Sequence, residues 1–147
     1  MNILFLASEV EGFVKTGGLA DVAKALPLAL KRRGHDVRIV MPFYSQIPGR
    51  DAATHVTGLT LITRQGHTDI PYQVREMALE DVPVMLVDFP NYFDRNNLYA
   101  ENNNSYADNG ERFAFFSAAS LQISEAIGFK PDIVHCNDWH TALVPML

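Results

Sequence analysis

The sequence predicts an α/β fold, a Rossmann-like parallel sheet that carries an appended antiparallel hairpin. The first observation is a near-continuous apolar run over residues 2–8, which is typical of a parallel strand covered on both faces. The second is a helical pattern over residues 19–33, followed by a strand pattern over residues 36–41. Together these segments form a β-α-β unit, whose crossover is almost always right-handed.

The helix at residues 19–33 is predicted from an apolar stripe and from its ends. Basic residues complement the helix dipole in the last turn, and Gly34 is well suited to follow the end of a helix. Pro27 removes one backbone hydrogen bond inside the helix, so we expect a kink there. The stripe consists of Leu19, Val22, Leu26 and Leu30.

The middle of the chain predicts the hairpin, a strand and a long loop. Residues 55–63 and 70–77 are short and rich in β-branched side chains, and turn-forming residues separate them. Residues 82–89 return to the pattern of a buried strand. The asparagine-rich segment 90–109 predicts a loop, and loops of this length in compact domains are usually functional or disordered. Its tyrosines and asparagines suit stacking on a carbohydrate and hydrogen bonding to it.

The last third predicts a helix over residues 110–127, a strand over residues 131–136 and a further helix that begins near Ala142. We expect this final helix to be barely started at residue 147. The sequence is therefore interpreted as an incomplete N-terminal domain, residues 1–147, of a longer protein. One face of the 110–127 helix carries Phe113, Phe116, Ile123 and Ile127.

The composition excludes several classes of protein. With 147 residues and 48% hydrophobic residues, the chain is large enough for a real core. A formal net charge of −5 argues against a nucleic-acid-binding surface. A single cysteine excludes an internal disulfide and suits a reducing compartment. No apolar run is long enough to span a membrane and the N-terminus lacks a signal-peptide pattern, so we expect a cytoplasmic protein.

The segment after the first strand carries the strongest functional signal. Lys15 precedes the paired glycines Gly17 and Gly18, and the helix follows them. Glycines let the backbone turn sharply and approach a ligand, while the helix start offers unpaired N–H groups and the positive end of its dipole. The combination predicts a site for an anionic, phosphorylated small molecule. The alternative is a tight turn with a solvated lysine; the P-loop and dinucleotide patterns are absent.

Asp138 and His140 follow the last predicted strand, at the edge where α/β sheets bind ligands. The alternative is that Asp138 only caps a helix and that the His140 ring packs on Trp139. A metal site that also uses His135 and Cys136 is disfavoured. Consecutive strand residues face opposite ways, and no recognised zinc spacing is present.

Asp108 lies where the polar segment meets the next helix. A transition from loop to helix explains this residue, because Asp108 or Asn109 can cap the helix and Glu111 favours its dipole. Its position at the end of the polar loop is the one hint of a sugar-binding role.

These residues closely resemble the N-terminal part of bacterial glycogen synthases and plant starch synthases, over essentially the whole chain. The two most specific matches are the Lys-Thr-Gly-Gly-Leu and Asp-Trp-His segments. The matching segments are Ser8-Glu9, Lys15-Thr16-Gly17-Gly18-Leu19-Ala20-Asp21-Val22, Ala25-Leu26-Pro27, Tyr106-Ala107-Asp108-Asn109, Arg112-Phe113-Ala114 and His135-Cys136-Asn137-Asp138-Trp139-His140.

The resemblance implies the first half of a two-domain GT-B glycosyltransferase, with two Rossmann-like domains that face each other across a cleft. It implies transfer of glucose from ADP-glucose to the non-reducing end of an α-1,4-glucan such as glycogen, with retention and without a metal or other cofactor. Lys15, Gly17, Gly18 and Asp21 would bind substrate. His140 and Asp108 would be the catalytic residues.

Two alternatives stay open from the sequence. One is a non-catalytic glucan- or sugar-binding module, which the asparagine-rich and aromatic loop favours. The other is a related transferase that uses UDP-glucose, because the family recognises the nucleobase with its second domain. No nucleic-acid or membrane partner is expected.

Overall fold

The computed structural model describes residues 1–147, with the side chain of Thr57 outside the description. The α-helices are α1 (Gly18–Arg32), α2 (Pro90–Phe93) and α3 (Asn109–Ala126). The strands are β1 (Asn2–Leu6), β2 (Asp36–Pro42), β3 (Thr54–Gln65), β4 (Thr68–Leu79), β5 (Val82–Asp88), β6 (Ala100–Glu101), β7 (Asn104–Ser105) and β8 (Ile133–Cys136).

The main sheet has the strand order β3-β4-β5-β2-β1-β8. Strand β1 pairs in parallel with β2 and β8, and β2 pairs in parallel with β5. The apolar runs of β1, β2 and β5 are buried, as expected for parallel strands covered on both faces, whereas β8 at the edge of the sheet is partly exposed. The predicted Rossmann-like parallel sheet is therefore confirmed.

The predicted hairpin is confirmed and forms one edge of the sheet. Strands β3 and β4 are antiparallel, and Gly66 takes a left-handed φ of 61° in the two-residue turn between them. The hairpin also packs against α3, since the Tyr72 hydroxyl donates to the Ala119 carbonyl at 3.2 Å. Strand β4 is antiparallel to β5 as well, so the hairpin continues the parallel part of the sheet directly.

Helix α3 is buried on more sides than the single apolar face that the sequence predicted. Phe115 and Ala119 are buried together with the predicted Phe113, Phe116 and Ile123, so side chains on several faces of the helix meet the core. The helix also buries serine hydroxyls, which are satisfied within the helix by donating to carbonyls one turn earlier. These bonds are Ser117 to Phe113 at 2.8 Å and Ser120 to Phe116 at 2.7 Å.

The predicted stripe of α1 is wrong at Val22, which is 50% exposed. The buried face uses small side chains, Ala20 and Ala23, with Pro27 and Leu28 in the next turns. Small residues let a helix lie close to a sheet, and a search for large apolar side chains overlooks them. The helix continues through Pro27, and the kink stays a prediction.

The segment expected to be a loop over residues 90–109 contains regular structure. Pro90 opens the short helix α2, a position where its missing N–H costs nothing. Strands β6 and β7 then form a small two-stranded ribbon. Asn102 and Asn103 turn this ribbon with positive φ values of 51° and 62°, a conformation that asparagine tolerates.

The α-helix expected near Ala142 is replaced by two short 3-10 turns, Trp139–Thr141 and Val144–Met146. Pro145 is the second residue of the later turn, where it has no N–H to give to a continuing α-helix. None of the helices that the structure describes is long and apolar enough to cross a membrane.

We predict that Phe5→Ala lowers the free energy of unfolding by about 3–5 kcal/mol, because Phe5 is a core residue on an interior strand of the sheet. The side chain is fully buried on β1, and its ring stacks on His135 with centroids 4.6 Å apart. Urea unfolding followed by circular dichroism measures the change. Ile133→Ala on the neighbouring strand is the control and costs less than about 1.5 kcal/mol, since Ile133 is 42% exposed. Equal losses in the two variants would contradict the burial argument.

Candidate active site

An open cleft of about 640 Å³ lies beyond the carboxyl end of β1. One wall is the glycine loop, which we define as residues 9–18. The other is the asparagine segment, residues 94–108, which contributes four asparagine side chains and Tyr99. The glycine loop contributes Phe13, Val14, Lys15 and Thr16 to the lining. The asparagine segment contributes Asn96, Asn97, Leu98, Tyr99, Ala100, Asn102 and Asn103, and Gln46 completes the cleft.

Lys15 lines this cleft and is paired with Asp21. The Lys15 Nζ lies 2.6 Å from the Asp21 carboxylate, and both side chains are about half exposed at 46% and 52%. The hydrogen bond to Asp21 raises the pKa of Lys15, so its ammonium is held in the charged form. Two predicted substrate-binding residues are thus in contact, and an arriving anion would compete with Asp21 for the lysine.

Of the two reasons predicted for Gly17 and Gly18, a sharp turn and the close approach of a ligand, the structure contradicts the first and is compatible with the second. Gly17 precedes α1 in an extended conformation with φ −160°, which any residue adopts, so the sharp turn is wrong. A Cβ built on either glycine meets no described atom within 4 Å. Neither the backbone nor the described packing requires a glycine here. The open space suits the close approach of another molecule to the start of α1.

Glu9 is a site residue that the sequence reasoning missed. It is buried between the two walls, and its carboxylate accepts hydrogen bonds from Thr16 and from the Tyr99 hydroxyl. Ser8 adds a hydrogen bond of 2.8 Å to the same tyrosine oxygen. The signal in the sequence was an acidic residue directly after an apolar strand, at the edge where ligands bind.

His140 lies beside the hydrogen-bonded group of Ser8, Glu9, Thr16 and Tyr99, and it is 3% exposed. Its ring packs on Trp139 at 3.9 Å, Tyr99 at 4.6 Å and Phe113 at 4.8 Å between centroids. Neither ring nitrogen has a hydrogen-bond partner among the described residues. Burial lowers the pKa of His140 to about 4, with Asp138 and Glu9 opposing the shift and Arg112 adding to it. The imidazole is neutral at pH 7.

Asp138, next to His140, has a strained backbone. Its φ of 61° and ψ of −176° lie in a region that essentially only glycine visits. Its carboxylate accepts a hydrogen bond from the backbone N–H of the next residue, Trp139, at 2.7 Å. The Asn137 side chain donates to the Leu6 carbonyl at 2.8 Å and so fastens this loop to the end of β1.

Asp108 does not line the cleft, as far as the described residues show, but it forms an ion pair with Arg95. The two side chains meet in a bidentate arrangement with one Arg95 nitrogen 2.8 Å from the carboxylate. This hydrogen bond lowers the pKa of Asp108. The pair joins the first and last parts of the asparagine segment, so it helps to fix that segment beside the cleft.

Arg112 is completely buried and holds the asparagine segment against α3. Its guanidinium donates to the carbonyls of Tyr92 at 2.8 Å and Leu98 at 2.9 Å, and to the Asn109 side chain at 2.7 Å. Leu98 directly precedes Tyr99, so this bond fixes the position of the tyrosine in the cleft.

The disfavoured metal site does not form, since no group of three or more potential ligands converges among the described residues. His135 instead stacks its ring on Phe5. Cys136 lies on β8 as a free, partly buried thiol.

The family model described as "Starch synthase catalytic domain" matches residues 2–147. The chain belongs to the starch synthase catalytic domain family. It is similar to glycogen synthases of Aeromonas salmonicida, with 61% identity, and Photobacterium profundum, with 58% identity, each over all of this chain. It spans 30% and 29% of the length of those two relatives.

A solved structure of the family has the same fold. The catalytic domain of starch synthase IV from Arabidopsis thaliana, bound to ADP and acarbose, aligns with a TM-score of 0.84 and 31% identity. The alignment covers 97% of this chain and 29% of that one. The resemblance to this family is therefore confirmed, and so is the fold that it implied for this chain.

We predict that His140→Phe removes part of the chain's acid sensitivity. In the parent, the folded pKa lies near 4 against an ordinary 6.5, so the unfolded chain takes up a proton first as the pH falls. The parent should lose about 1 kcal/mol relative to the variant at pH 5.5, and about 2–3 kcal/mol at pH 4.5, with no difference from this cause above pH 7.

Urea unfolding at these pH values measures the difference between the two chains. His67→Asn, at the exposed hairpin turn, is the control for the loss of an imidazole. Parallel pH profiles for the parent and His140→Phe would contradict the prediction.

Proposed function

We propose that this chain is the N-terminal part of a glycogen synthase that transfers glucose from ADP-glucose to the non-reducing end of an α-1,4-glucan with retention. One observation carries the proposal beyond family membership. The cleft has an exposed lysine on one side and four asparagines with Tyr99 on the other, and the unobstructed Gly-Gly helix start directly follows Thr16, the last residue that lines the lysine side. The first side suits a diphosphate and the second suits sugar hydroxyls.

In the proposed reaction, Lys15 and the N–H groups at Gly17 and Gly18 bind the diphosphate of the donor. They stabilise the negative charge that develops on the leaving group, which is electrostatic catalysis without a metal. Asp21 holds Lys15 until the donor competes for it. The glucosyl group would then lie towards the carboxyl ends of β1 and β8.

His140 is proposed to act as a neutral group beside the transferred glucose. Its ring nitrogens are buried without a hydrogen-bond partner among the described residues, so this role requires that they become accessible when the donor binds. Asp108 is proposed to support the reaction through Arg95 by fixing the asparagine segment. No carboxylate is assigned as a nucleophile, because the family reaction resembles a same-face displacement rather than a carboxylate double displacement.

We further propose that residues 1–147 supply only half of the site. The chain spans 30% of the length of the Aeromonas salmonicida relative, and in the proposed enzyme a second domain contributes the nucleobase pocket and further cations. The 147-residue chain alone is therefore expected to be inactive. Transfer of glucose from ADP-glucose to glycogen by this chain alone would overturn that expectation.

A glucan-binding module is the second candidate, favoured by the asparagine side chains that line the cleft. The two functions differ in the role of Lys15. In a module, the lysine is dispensable for any turnover by the full-length protein. UDP-glucose as donor is tested by the same transfer assay with the other nucleotide sugar.

We predict that Lys15→Ala in the full-length protein weakens ADP-glucose binding about tenfold or more at low salt. The loss should shrink as sodium chloride rises, because salt screens an exposed charge pair. Isothermal titration and initial rates of transfer at two salt concentrations measure the effect.

Lys24→Ala is the matched control, since Lys24 pairs with Glu11 at 3.2 Å and does not line the cleft among the described residues. A loss in Lys15→Ala that is independent of salt would indicate a structural role. Unchanged turnover in Lys15→Ala would favour the module.

A further inference from the structure

Glu9 connects the two walls of the cleft through one carboxylate. Its Oε2 accepts from the Thr16 backbone N–H at 2.6 Å, on the glycine loop. Its Oε1 accepts from the Thr16 hydroxyl at 2.6 Å and from the Tyr99 hydroxyl at 2.8 Å, on the asparagine segment. Among the described side chains, Tyr99 links the asparagine segment to Glu9, the first residue of the glycine loop, and to Ser8, the residue directly before that loop.

The burial of this carboxylate demands an explanation. Glu9 is 3% exposed, and no described lysine, arginine or histidine nitrogen lies within 4 Å of it. A buried carboxylate is costly unless hydrogen bonds replace its water. Here three donors from two segments converge on it, so its stability depends on both walls being in place.

The charge of Glu9 has the wrong sign for contacting an anion. A negative group beside Lys15 and the start of α1 would weaken the binding of a phosphate if charge were its contribution. The contribution that fits its contacts is geometric. By accepting from the Thr16 N–H, Glu9 fixes the backbone directly before Gly17, the residue that precedes α1 and has no side-chain cap.

We propose that Glu9 is a positioning residue that sets the glycine loop and Tyr99 at a fixed separation across the cleft. The anion side and the carbohydrate side are thereby held in one arrangement before a ligand arrives. The proposal rests on the proposed function for what the cleft binds, but the coupling of the two walls can be measured in the 147-residue chain without any substrate.

Two substitutions separate geometry from charge. Glu9→Gln keeps the shape: its oxygen can accept from the Thr16 N–H, and its amide can donate to the two hydroxyls, which also act as acceptors. The Tyr99 hydroxyl then donates to Ser8 instead. Glu9→Ala removes all three bonds. If Glu9 has a positioning role, Glu9→Gln preserves the arrangement of the two walls and Glu9→Ala loses it.

The first measurement is amide hydrogen exchange at Thr16. We expect Glu9→Ala to exchange at least about tenfold faster at this amide, and Glu9→Gln to stay within about threefold of the parent. Glu11→Ala is the matched control, because Glu11 lies two residues away on the same loop and pairs with Lys24 at 3.2 Å. The control should leave exchange at Thr16 unchanged.

The second measurement uses Trp139, the single tryptophan of the chain, whose ring centroid lies 6.0 Å from that of Tyr99. Release of Tyr99 uncovers the indole, so acrylamide quenching of its fluorescence should rise in Glu9→Ala and not in Glu9→Gln. The same quenching in parent and Glu9→Ala, or equal changes in Gln and Ala, would overturn the proposal.

The third measurement is kinetic and uses the full-length protein. Glu9→Ala should raise the KM for the nucleotide sugar about tenfold, with a smaller change in kcat, and Glu9→Gln should restore it. If the parent transfers no glucose, the proposed function fails while the exchange and quenching results still decide the role of Glu9.

A Glu9→Ala chain that does not fold leaves two milder variants. Thr16→Val removes one hydroxyl bond on the glycine loop, and Tyr99→Phe removes the bond on the other wall. If Glu9 couples the walls, Tyr99→Phe accelerates exchange at the Thr16 amide although it does not touch that residue. No acceleration in Tyr99→Phe would overturn the coupling.

Discussion

The arrangement of the cleft depends on one buried cation, the guanidinium of Arg112. Water cannot reach it, and it donates hydrogen bonds to two backbone carbonyls and to the Asn109 side chain in place of solvent. Its Nη2 atom has no hydrogen-bond partner among the described residues. Burial lowers the pKa of this guanidinium. The bonded carbonyls lie on either side of a polar segment with little hydrophobic content of its own. Together with the Arg95–Asp108 pair and the hydrogen bond of Tyr99 to Glu9, this cation fixes the path of the segment across the end of the sheet.

Helix α3 links this constraint to the loop that follows β8. Arg112 lies in its first turn, and the next residue, Phe113, packs its ring against Tyr99, Trp139 and His140. One helix start therefore touches the asparagine segment and the loop after β8. Because α3 is itself buried against the sheet and the hairpin, the rings of Tyr99, Trp139 and His140 pack on an element of the core.

The strands could be predicted from the sequence because buried parallel strands leave a simple apolar pattern. The hairpin followed from the turn residues around Gly66. The burial of Arg112 could not be predicted, since arginine is almost always exposed and its acceptors are backbone carbonyls without a sequence signature. Val22 was misassigned because alanines rather than large side chains form the buried face of α1. Glu9 was missed because its partners lie 7 and 90 residues away.

The strained backbone of Asp138 has a consequence for the evolution and engineering of this fold. A residue held where only glycine is comfortable withholds about 1–3 kcal/mol from the folded state. Selection for thermal robustness alone would exchange it for glycine. An aspartate at this position therefore costs stability, while its carboxylate caps the turn that carries Trp139 and His140. Libraries of variants screened only for melting temperature would replace Asp138 with glycine.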